Sequence, residues 1–188
     1  MSRQVALATI SAVIALSACA PSAKNDMLCE GGEDTLILAA QAVQSATMIP
    51  CVTTLAEGWS IGGFSARTGS VRFWMDSDRA GSHAVEVELA EACDTSKATE
   101  LEPGPAEAER FEQRTRSEPE LGGRRFWRFP GGCVTLRYDF ERGAGADLLA
   151  AAESSVTLIP RDALVTALEE RRGLILCGVG HPECLSES

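Results

Sequence analysis

Seven cysteines are scattered along the 188 residues, and their spacing constrains the chain more than any other feature. None form a CxxC pair; the nearest two, Cys177 and Cys184, are separated by six residues. His181 lies between them, but a zinc site would need further ligands and less restraint than Pro182 imposes. The spacing therefore argues against a bound metal. The first of the seven, Cys19, closes an uncharged N-terminal run from Val5 to Ala18.

Residues 1–19 read MSRQVALATISAVIALSAC, with Arg3 as the one charged side chain. The run is too short, and too rich in Ala, Ser and Thr, for a spanning helix. Its end, Leu16-Ser17-Ala18-Cys19, resembles the lipobox of bacterial lipoprotein signal peptides, with Leu at −3, small residues at −2 and −1, and Cys at +1. The resemblance implies cleavage before Cys19, a diacylglyceryl thioether on its sulfur, and often acylation of the new amino group. Two other readings remain open: an ordinary secretory signal in which Cys19 is incidental, and an apolar first helix of a cytosolic protein. The Ala, Gly and Arg usage suggests a high-GC source of actinobacterial type.

The lipoprotein resemblance divides the chain into a signal peptide at 1–18, a lipidated cysteine and short tether at 19–28, and a single α+β domain at 29–188. It places that domain at the cell membrane, lipid-anchored on the extracytoplasmic side. Each buried methylene contributes about 0.8 kcal/mol, so two or more chains on Cys19 would hold the protein stably on a bilayer. From Cys19 to Cys29 the tether spans at most about 33–36 Å, which keeps the domain close to the surface. Loss of Arg3 with the signal takes the formal charge from −10 to −11. Such an acidic chain lacks the footprint of a nucleic-acid binder and is repelled by anionic lipid, so any membrane attachment rests on Cys19.

Six cysteines then remain: Cys29, Cys51, Cys93, Cys133, Cys177 and Cys184. On an oxidising side of the membrane an even number points to disulfides. Sequence alone does not fix connectivity, and sequential pairing is the expectation. Cys29 and Cys51 bracket a helix, Cys177 and Cys184 close a small Gly/Pro loop, and Cys93 is left with Cys133. Parity counts against this last pair, since Cys93 shares the apolar parity of its strand and Cys133 opposes that of its own.

Leu36, Ile37, Ala40, Val43 and Ala46 recur at helical spacing within 33–47, with Glu33 and Asp34 in the first turn and Pro50 beyond the end. Val71, Phe73 and Met75, then Val85, Val87 and Leu89, alternate with polar residues on either side of a turn at 76–82, which predicts a hairpin over 71–92. A second hairpin, 124–140, turns at Pro130-Gly131-Gly132 and returns with Val134, Leu136, Tyr138 and Phe140 on one face. Residues 94–109 read as a polar surface loop, and 110–118 as a strand of poor apolar content. Helices are expected over 146–154 and 160–172. The class is α+β: an antiparallel sheet built from hairpins, covered by amphipathic helices and stapled by disulfides.

Chemistry is harder to find. Gly58-Trp59-Ser60-Ile61-Gly62 matches the GxSxG nucleophile elbow, which needs a strand before Ser60 and a helix after it, and His181 lies downstream in triad order. Gly63-Phe64-Ser65-Ala66-Arg67 will not form that helix, so a glycine-rich loop is the better reading. Asp76-Ser77-Asp78-Arg79-Ala80-Gly81 resembles half a calcium loop but has Ala80 and Val87 where ligands are required. Residues 107–128 mix Glu and Arg as a salt-bridged face would. Trp74 and Trp127 have opposite parity to their Phe neighbours. If both indoles faced outward they would form an apolar patch for a ligand or an envelope partner; the competing expectation packs them under helices. The favoured reading is therefore a binding or accessory module without metal or cofactor, and the alternative is a hydrolase using Ser60 or a carboxylate pair.

Overall fold

The computed structural model describes residues 29, 32–104, 108–117, 119–140 and 145–181. The expected signal peptide and tether, with Cys19, and the expected Cys177–Cys184 pair's second cysteine lie outside them. The elements run α1 (Gly32–Ala42), β1 (Met48–Val52), β2 (Trp59–Arg67), β3 (Ser70–Ser77), β4 (Gly81–Ala90), β5 (Thr99–Leu101), β6 (Glu109–Arg116), β7 (Leu121–Phe129), β8 (Gly132–Phe140), α2 (Ala146–Ser155), β9 (Val156–Pro160) and α3 (Arg161–Arg172). Seven strands form one antiparallel sheet in the order β2-β3-β4-β8-β7-β6-β5, and β1 pairs with β9 in a separate two-stranded sheet. The architecture is α+β.

Residues directly opposite across strands share a face, so the register sorts the side chains. Val71, Leu89, Val134 and Trp127 lie in one such row and Met75, Val85 and Tyr138 in another. These rows make the inner face, buried in one core with Leu36 and Ala40 of α1, Leu149 and Ala152 of α2, and Leu164 and Leu168 of α3. Trp74, Glu86, Arg137 and Arg124 form a row on the outer face.

Several boundaries differ from expectation. Helix α1 stops at Ala42, because Ser45, Ala46 and Thr47 serve another purpose. The Thr47 amide and hydroxyl donate to Pro130 O at 3.2 and 2.8 Å, and the Ser45 hydroxyl donates to Gly131 O at 2.7 Å. The β7–β8 turn is thus fastened to the end of α1. Gly131 must be glycine there: φ is +72°, and a Cβ would stand 1.8 Å from Ser45 O. Residues 94–109 are not all loop, since β5 adds an edge strand to β6. Three residues carry no readable period.

Two disulfides join Cys29 to Cys51 and Cys93 to Cys133, with Cα separations of 5.4 and 5.8 Å. Strand β4 ends at Ala90. Cys93 therefore lies beyond the pleat, and the parity objection to its partner falls away. Cys177 has no disulfide partner among the described residues; Cys184 lies outside them.

Candidate functional site

Helix α2 passes into β9 with no intervening loop, the helix ending at Ser155 and the strand starting at Val156. Strand β9 hydrogen-bonds to β1 rather than to the main sheet. The α2–β9 corner therefore stands away from the β6–β7 end of the inner face, and a cavity of about 380 Å³ opens between them. Trp127 of β7 backs it, with Ala108 before β6, Ala150 of α2, and Val156 and Leu158 of β9 around it. Alanine at 108 and 150 leaves room that a larger side chain would take. The volume lies within the roughly 300–1,000 Å³ of small-molecule sites, which are mostly apolar with a few placed polar groups.

Those polar groups come from an ion-pair chain beneath α2. Arg110 donates to Glu153 at 2.5 Å, and the second Glu153 oxygen accepts from Arg125. Arg125 also donates to Glu112 at 3.1 Å, and Glu112 accepts from Tyr138 at 3.3 Å and from half-exposed Arg114 at 3.0 Å. Burial works to lower the Arg125 pKa, but Glu153 and Glu112 outweigh it and leave the guanidinium more firmly charged than usual. Burial, with Glu112 beside it, pushes the Tyr138 hydroxyl up, so it stays a neutral donor. The salt-bridged face read over 107–128 exists, but its inner half is roofed by α2 rather than solvated.

The two tryptophans are not brought together. Trp127 is on the inner face and buried, while Trp74 is on the outer face and partly exposed. The Trp74 indole lies against Gly62 and Gly63, where a Cβ would stand 2.6 and 2.2 Å from the ring. It stacks on His83 with ring centroids 4.9 Å apart and 16° between planes. His83 is held at φ +54°, its amide donating to Asp76 Oδ1 at 2.7 Å. The half calcium loop is thus a β3–β4 turn whose Asp76 carboxylate caps His83. An open polar groove of about 340 Å³ lies nearby, lined by His83, Glu86, Arg124 and Arg137.

Ser60 lies within extended strand β2, exposed and opposite Asp76. The strand-to-helix turn of a nucleophile elbow is absent there. His181 bridges back to Gly178, and the neighbouring Val179 amide donates to Gln44 O. Gly69, at the far end of β2 from Ser60, donates to Ala42 O, so His181 and Ser60 sit toward opposite ends of that strand.

No protein family, curated protein or solved structure matches this chain. No helix among the described residues is long and apolar enough to cross a membrane. The cavity and its ion-pair chain were missed by sequence reasoning. Arg110 and Glu153 are 43 residues apart, and nothing local marks them as partners.

Proposed function

We propose that the chain is a lipid-anchored cell-envelope lipoprotein whose domain serves as a binding module on the outer face of the membrane. Cys19 carries the lipid, and the cavity between α2, β9 and the β6–β7 strands is the binding site. The hairpins 71–92 and 124–140, covered by amphipathic helices, form the rigid frame that holds it. The cavity itself carries this reading: an apolar space of about 380 Å³ backed by a buried indole, in a domain otherwise packed around one core. Two disulfides support an oxidising location. A hydrolase built on Ser60 has no comparable support, since that residue lies on an extended strand and the strand-to-helix turn of a nucleophile elbow does not form around it.

A photo-crosslinking side chain at Ala150, which is exposed and lines the cavity, tests the reading in cells. A mass adduct at position 150 that is missing at Ala146, exposed on the same helix outside the cavity, is the expected result. Equal labelling at both positions would refute the site.

A further inference from the structure

We propose that the outer-face groove binds a small polar molecule through an oxyanion, a carboxylate or phosphate group, seated between Arg124 and Arg137. The site lies across the sheet from the α2–β9 cavity and does not depend on it. Arg124 of β7 and Arg137 of β8 are directly opposite in the register. That places their Cβ atoms about 4.5–5.5 Å apart, where like charges are destabilising. Of the arginines among the described residues, Arg67 and Arg124 alone bond to no carboxylate or carbonyl. Arg67 ends the edge strand β2, exposed and opposite Ser70. Arg124 is exposed too, but it stands on an interior strand with a second cation beside it.

The surrounding charges leave that pair a surplus. Across β6, Arg124 faces uncharged Gln113. Asp139, on the groove wall, is bonded to Arg116. Glu86 stands on the far side of Arg137 from Arg124, 3.8 Å from Arg137 Nη1. Arg137 Nη2 donates to Glu88 at 3.3 Å, but that carboxylate also accepts from Arg72 and Ser70. All five Arg124 N–H groups and the Arg137 Nη1 protons are therefore open to a ligand. A guanidinium fork matches a carboxylate or phosphate, and an oxyanion turns the repulsion of the two cations into two attractions. The groove, at about 340 Å³, is larger than a bare oxyanion, and the rest of its wall is polar. His83, Glu86 and Thr115 can bond hydroxyl groups, and the His83 ring is fixed there by its stacking on Trp74. The fitting class is an acidic polyol or sugar.

The test is calorimetric titration of the full chain, held in an uncharged polyoxyethylene detergent at one ionic strength. The probes are glucuronate and glycerol phosphate, with neutral glucose and glycerol as controls. Saturable binding of the two anions and none of the neutral compounds is expected. Arg124→Gln should weaken anion binding by about tenfold or more with circular dichroism unchanged. Arg124→Lys, which keeps the charge and loses the fork, should recover part of the affinity. Arg67→Gln removes the other unpaired guanidinium, outside the groove, and should leave binding intact. Binding of one anion alone, with the same dependence on Arg124, would support the site and narrow its ligand. Binding of neither anion, equal binding of a neutral control, or no effect of Arg124→Gln would overturn the proposal. Equal losses from Arg67→Gln and Arg124→Gln would also overturn it, since net charge and not the groove would then draw the anion.

Discussion

Arg161 is a buried cation with no carboxylate beside it among the described residues. It is 2% exposed at the start of α3, and its guanidinium donates to Ala40 O at 2.9 Å, Val43 O at 3.5 Å and Cys177 O at 2.5 Å. The carbonyls at a helix C-terminus lack intrahelical donors and carry partial negative charge, so the end of α1 supplies what an acidic side chain otherwise would. Burial still lowers the Arg161 pKa. Arg161→Met keeps much of the volume and removes the donors; a loss of at least about 2 kcal/mol is expected in urea denaturation, and an unchanged midpoint would show that the carbonyls find other partners. Glu88 on the outer face is a contrasting case. Burial works to raise its pKa, but Arg72 and Ser70, each donating at 2.9 Å, and Arg137 at 3.3 Å hold it below the ordinary 4.5. A depressed carboxylate contributes stability above its unfolded pKa and loses it as pH falls through the lower folded value. Glu88→Gln should therefore lower Tm at neutral pH and lessen the further drop on acidification below about pH 4.5; an equal acid-induced drop in both proteins would refute the assignment.

At the scale of elements, what was legible depended on whether burial meant apolar residues. Val85, Val87 and Leu89 alternate with Glu86 and Glu88, and they lie in β4 on a buried face. Strand β6 presents Arg110, Glu112 and Arg114 to the same inner side, where α2 and β7 supply counter-charges, so its alternation is invisible to a hydrophobic count. The pairing of β1 with β9 joins segments about a hundred residues apart, and no local signal specifies it. Of the site, Trp127 and the 107–128 charges were visible as residue types, but the cavity depends on where α2 comes to rest. The Cys93–Cys133 bond spans 40 residues and ties the segment after β4 to the start of β8. Replacing both cysteines with alanine should cost about 2–4 kcal/mol in chemical denaturation; a cost near zero would mean that strand pairing alone fixes this corner.

For the whole molecule, the proposed membrane anchoring depends on a single sulfur. Cys19→Ala should abolish incorporation of a labelled fatty acid into the protein, and labelling that persists would overturn the anchor. The route by which such an anchor would grip the domain is set by another sulfur. Cys29 is bonded to Cys51, so any pull arriving along the chain from before residue 29 passes straight into β1. Helix α1 lies within the bypassed loop and stays slack. Strand β1 then hands the load to its partner β9 across the Met48–Pro160 to Val52–Val156 ladder, and β9 is continuous with both α2 and α3. A hauled domain would thus transmit tension through the strand that borders the cavity. Reduction of that one bond would reroute the force through α1, which would be the first element to unravel.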